Sequence, residues 1–245
     1  MVGSLLTRGL LVGLIAGLLV FAFATVFGEP QIEQSIAFEA AQTQAKGEAP
    51  EPELVSRDIQ STAGLLTGTV VYGTALGGLF ALVFAFAQGR VGRIGPRGLS
   101  GLLALAGFIA IVVVPALKYP ASPPAVGDPE TIGIRTKLFF LMMLVSITAM
   151  VAAVLIARKL IARHGIWAAT LIAGAGFVVL IGVVQYLLPD INEVPDAFPA
   201  VLLWRFRMAS FGMQIVMWTA LGLIFGWFAE RKLKSQFRFV RSGAA

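Results

Sequence analysis

The chain has 245 residues, 58% hydrophobic and 13% charged, with a formal net charge of +6 and a mean hydropathy of +0.86. Soluble domains carry about a quarter charged residues, so this chain lacks the charge to coat a water-facing surface. An ordinary soluble enzyme, a disordered chain and a nucleic-acid binder are thereby excluded, because the bases behind an isoelectric point of about 10.1 lie in short blocks between apolar runs. With no cysteine there is no disulfide and no thiolate chemistry. The expected fold class is an all-α, polytopic helical membrane protein, one integral domain over 1–245 in a lipid bilayer.

A helix crosses the hydrocarbon core with about 20 mostly apolar residues. Six stretches meet that test: 9–27, 64–87, 99–117, 138–157, 166–188 and 208–229, none with a charged side chain. No ten-residue alternation of a barrel strand is present. In the first stretch, Ala22-Phe23-Ala24 would suit a signal peptidase. The apolar run continues to Phe27, however, with Gly9, Gly13 and Gly17 spaced by four, so a retained packing helix is expected.

The segment 28–63 follows, with Glu29, Glu33, Glu39, Glu48, Glu51 and Glu53 among Gln, Ala and Pro. Its middle, Gln42–Glu53, has little to bury and reads as mobile. Its charge reads as a solvated run or, alternatively, as a field attracting cations. The second stretch brings Gly64 and Gly68, then Gly73 and Gly77, as small-residue pairs, and the last brings Gly222 and Gly226.

After the third stretch, 118–137 holds Pro120, Pro123, Pro124 and Pro129, too many for helix or central strand. Asp128 before Pro129 is a candidate N-cap, with Glu130 complementing the helix dipole. The segment 189–207 is similar in character, and its Ala200–Trp204 stretch reads as a short interfacial helix. A shift of 70 positions aligns Arg93 with Arg163, Gly95 with Gly165, Pro129 with Pro199 and Arg135 with Arg205. It pairs spans three and four with five and six, as in a parallel helical-hairpin repeat whose interface would hold a transport path.

Orientation follows the basic residues. With the N-terminus cytoplasmic, the inner face holds Arg8, then Arg90, Arg93 and Arg97, then Arg158, Lys159 and Arg163, then Arg231, Lys232, Lys234, Arg238 and Arg241. Glu230 is its one acid. Both termini are expected inside.

The chemistry available is narrow. No phosphate-binding loop is present, and the single histidine, His164, reads as a loop residue. With no nucleophile–base pair in view, no enzyme is expected. Asp128, Glu130, Asn192, Glu193 and Asp196 offer oxygen ligands suited to hard or borderline divalent cations. The same acids would serve equally as caps and partners for Arg135, Arg205 and Arg207, which order loops or meet anions. Met142, Met143, Met150, Met208, Met213 and Met217 read as adaptable packing. Gln185 and Gln214 either bond a neighbouring helix or line a path.

Two runs are more specific. Leu117 to Thr136, LKYPASPPAVGDPETIGIRT, and Leu188 to Gln214, LPDINEVPDAFPAVLLWRFRMASFGMQ, followed by the 226–231 run GWFAER, resemble the signature of the CbtA family of probable cobalt transporter subunits. The resemblance implies a bacterial inner-membrane permease, or a subunit of one, for cobalt or a similar divalent cation, linked to cobalamin synthesis. It also implies a small CbtB-type membrane partner. The family's frequent histidines after the first span are absent from 28–63, so that metal-collecting step is lost here or left to a partner. No resident cofactor is expected beyond the transported cation. The rival expectations are a non-transporting scaffold docking a partner through its outer loops, and an anion or lipid-headgroup handler using the arginines. Metal selectivity, energy source and whether the chain forms a homo-oligomer stay open at this level.

Overall fold

A computed structural model describes residues 2–47, 54–92 and 94–242, with 235–242 described as helical backbone. Among the described residues, five helices are long and apolar enough to cross a membrane: α1 (Val2–Lys46), α2 (Arg57–Ala87), α3 (Pro96–Lys118), α4 (Pro129–Leu187) and α5 (Ala200–Lys234, helical on to Ser242). Within their apolar stretches large hydrophobic side chains face outward, among them Leu79, Phe86, Leu144 and Val178. In water such surface would drive aggregation, whereas in lipid it is solvated.

Three expectations need correction. The segment after residue 27 is not a loop at its start: the helix continues from Glu29 to Lys46 and ends on Gly47, whose φ of 71° makes it a left-handed stop. Glu, Gln and Ala are good helix formers, so a stretch with little to bury here extends a helix already nucleated in the apolar run. Gln42–Lys46 is therefore helical, and Glu48, Glu51 and Glu53 lie outside the described residues, as does Arg93. Ala200–Trp204 is not a separate interfacial helix but the opening of α5. The fourth and fifth apolar stretches are joined without a coil, since α4 runs through both.

That join is nonetheless a break. At 59 residues an unbroken α4 would be about 88 Å long at 1.5 Å per residue. Gly165 interrupts it with φ 74° and ψ 170°, a conformation open essentially to glycine. Met142 and Ala149 before the break share one apolar cluster with Ile181 after it, closed by Val114 of α3. The chain therefore folds back at Gly165.

Two compact units result, 1–105 with 201–245, and 106–200. In the first, α1 and α2 run antiparallel with their backbones in contact. A methyl at Gly13 would collide with the Gly73 carbonyl and lie 2.9 Å from Thr74 Cα. One at Gly17 would lie 2.8 Å from Val70 Cα, and one at Gly77 would lie 2.7 Å from Gly13 Cα. Such approach maximises dispersion contact where lipid supplies no hydrophobic drive between helices. Gly222 and Gly226 of α5 pack on Ala104, and on Ser100 and Arg97, and Ser100 Oγ donates to the Gly222 carbonyl over 2.7 Å. Phe225 stands edge-on to Phe80 and Phe84, which closes the core. Gly64 and Gly68 are outside this seam: Gly68 has nothing within 4 Å of a would-be Cβ, and Gly64 meets only its own segment, at Ile59.

Candidate functional site

In the second unit, the two proline-rich segments meet over one end of the α4 fold-back. Asp128 caps α4 as its spacing predicts: its side chain accepts from Glu130 N–H at 2.9 Å, and Pro129 opens the helix where a missing donor costs nothing. Gly127, at φ 121°, has no Cβ, and a methyl there would meet the Arg135 guanidinium.

Glu193 is the hub. Its carboxylate accepts from Asp128 N–H at 2.8 Å and from the Thr131 hydroxyl, and faces Arg135 Nε at 3.3 Å. Those bonds to its charged form, Thr131 first and Asp128 N–H second, hold its pKa below the ordinary glutamate value against opposing desolvation, with Arg135 adding to them. A second tie lies beside it. Lys118 pairs with Asp190, and the Tyr119 hydroxyl donates to the Pro189 carbonyl at 3.0 Å. Partial burial raises the Tyr119 pKa, the first of its influences. Below these ties, Gln185 Nε2 donates to the Val114 carbonyl at 3.0 Å, which links the second arm of α4 to α3.

A cleft of about 300 Å³ opens here, lined by Thr131, Ile134, Leu138, Pro189, Asp190, Ile191, Asn192 and Glu193. Of the five candidate metal ligands, Asp128 and Glu193 are brought together, though through a backbone N–H rather than carboxylate to carboxylate. Asn192 accepts from Val194 N–H at 3.4 Å, while Glu130 and Asp196 are exposed. No group of three or more His, Asp or Glu poised to hold a metal occurs among the described residues. The arrangement is a clamp bordered by acids, so any cation there would be met by one or two carboxylates with water completing its shell.

Arg135 orders its loop through Glu193 and the Asp128 carbonyl at 3.4 Å. Arg205 is exposed on α5 and Arg207 half-buried. Gln214, in the first unit, has its side-chain oxygen buried without a hydrogen bond. Met142 and Met217 are fully buried in packing positions, and His164 is exposed beside the Gly165 break.

Sequence reasoning missed one pair. Glu29, only 7% exposed, pairs with Arg57 across the α1–α2 contact. The available signal was its position, the first acid after the first apolar run.

No curated protein and no solved structure matches the chain. A family model, described as probable cobalt transporter subunit (CbtA), matches residues 2–230. With that match running through every long helix and both clamped segments, the chain belongs to the CbtA family and is a multi-pass membrane protein of a cobalt-transporter subunit family.

Proposed function

We propose that this chain is the membrane-embedded permease subunit for cobalt or a similar divalent transition-metal cation, acting in a bacterial inner membrane. The family match over 2–230 carries this reading, on a chain whose long helices suit a bilayer. The described geometry supports six crossings. The two arms of α4 fold back at Gly165, and Trp167 and Tyr186, both strongly exposed, are 19 residues apart (167 to 186). That is about 28 Å of helix, the thickness of a hydrocarbon core between two aromatic belts. Twelve of the 19 Lys and Arg residues then fall on one side, with both termini and His164 inside, and the clamp outside.

The parallel-repeat reading gains support from matched helix starts. Pro129 opens α4 and its aligned Pro199 immediately precedes α5, while Gly95 precedes α3 and its aligned Gly165 precedes the second arm. At the outer clamp, exposed Asp128, Glu130, Asn192 and Asp196 gather cations, and Glu193 with Arg135 fixes the loops that present them. As a subunit the chain needs a partner, and a small CbtB-type membrane protein suits that role. The Asp128→Ala/Glu193→Ala double variant is expected to lower cobalt uptake at matched amounts of folded protein. Unchanged uptake would remove both residues from the mechanism and favour a scaffold instead.

A further inference from the structure

We infer that α5 carries a site for one anionic phospholipid at the inner end of the first unit, its acyl chain along the helix and its phosphate held by Arg231, Lys234 and Arg97. The inference takes the orientation given above and is independent of the metal.

From Phe211 to Arg231 the exposed residues of α5 are Ile215, Thr219, Leu223, Trp227 and Arg231, each four after the last. Every residue between them is half-buried or buried. In a regular α-helix such a row would drift by about 40° at each step, because four residues overshoot a 3.6-residue turn. The π-helical turn Leu221–Phe225 closes its bonds one residue later, so it turns less per residue and brings the row back. A track one residue wide results, apolar from Ile215 to Leu223 apart from the small Thr219, then an indole, then a guanidinium. That order of surfaces matches a lipid followed from its tail to its headgroup.

At the inner end of the track the cations are held in place. Arg231 Cζ lies 3.6 Å from the centroid of the Trp227 ring. A guanidinium stacked by its face keeps its in-plane N–H donors for a ligand, and among the described residues no ion pair includes Arg231. Lys234, one turn on and exposed, lies 3.2 Å from Glu230, and Arg97 Nε reaches the same carboxylate at 2.7 Å. Close packing brings Arg97 there, since its Cα would lie 3.2 Å from a Cβ on Gly226. One carboxylate thus gathers two cations beside a third, and the excess suits a phosphate with several acceptor oxygens. Arg8 and Arg90 are instead turned onto their own helices, bonding the Ser4 carbonyl at 3.0 Å and the Phe86 carbonyl at 2.6 Å.

Charge selects the occupant. Glu230 is the single acid of the inner face and is already shared, so a second copy of the chain would bring bases against bases. A soluble anion would use the cations and none of the track. Basic clusters immediately inside a membrane helix attract anionic headgroups.

The purified full chain in detergent is mixed with equal amounts of dioleoyl phosphatidylglycerol and dioleoyl phosphatidylcholine, and retained lipids are counted by native mass spectrometry. The wild type is expected to retain phosphatidylglycerol about tenfold over phosphatidylcholine, and Arg231→Gln/Lys234→Gln to lose that preference. Arg231→Lys, which keeps the charge but not the stacked fork, is expected to fall between them. Arg158→Gln/Lys159→Gln, which removes two exposed bases of the second unit, is expected to keep the preference. Should Arg231→Gln/Lys234→Gln not fold, the wild-type preference and its fall in Arg231→Lys decide. Equal retention of the two lipids by the wild type would overturn the site. Equal loss in the two double variants would do the same, leaving only diffuse attraction. Displacement of the lipid by millimolar glycerol phosphate would mark a soluble-anion site instead, and its displacement by a polyglutamate peptide would mark an acidic protein partner; each overturns the lipid assignment.

Discussion

At Glu193 a single carboxylate joins two loops 65 residues apart in sequence, so its charge state governs their contact. Its pKa is depressed in the folded chain, chiefly by the Thr131 and Asp128 N–H bonds. Linkage then fixes the sign: the contact contributes fully above the ordinary glutamate pKa and is lost as the pH falls through the lower folded value. Hydrogen exchange at the Asp128 amide, corrected for intrinsic rate, should stay protected through the pH range where an ordinary glutamate protonates, then open below it. Glu193→Gln should remove the pH step and leave the amide exposed at neutral pH. Protection unchanged in that variant would show that another contact holds the loop. The N-cap at Asp128 was legible because a cap needs only local spacing. The clamp was not, since nothing in residues 118–137 says which acid of 189–207 will reach Thr131.

Helices behave similarly. The apolar runs marked the spans, because a run of about 20 residues answers to bilayer thickness rather than to any neighbour. The glycine spacing of α1 marked a packing face but not its partner, and the wrong glycines of α2 looked equally suitable. Gly73 and Gly77 meet α1 while Gly68 faces open space. Gly13→Leu is accordingly expected to cost about 3 kcal/mol by forcing backbones apart, and Gly68→Ala to be nearly neutral. Reversible unfolding in mixed micelles measures both, and equal effects would contradict the seam. Helix ends were read least well. Glu29–Lys46 is helical because propensity and an existing nucleus suffice without burial, and Ala200–Trp204 belongs to α5 because no breaker follows it. At the fold-back, Gly165→Ala should destabilise by about 1–3 kcal/mol, as a Cβ is strained at φ 74°. Gly174→Ala, inside the second arm with space around it, should not. A similar melting shift in both would mean the break does not depend on glycine.

For the molecule as a whole, composition alone defined the class, and the family match names a transporter subunit. Topology is open to direct test because the chain has no native cysteine. Single variants Ser122→Cys and His164→Cys should react with a membrane-impermeant thiol reagent from opposite faces: the first from outside intact cells, the second only after permeabilisation. Labelling of both from one side would leave α4 without two crossings. The central claim is transport, and radiolabelled cobalt uptake in a cobalt-starved bacterial host tests it most directly. The comparison sets this chain alone and with a CbtB-type partner against the Asp128→Ala/Glu193→Ala variant at matched expression. Uptake above background that falls in the double variant is the predicted result. No uptake in either configuration, with the protein shown folded in the membrane, would contradict the account.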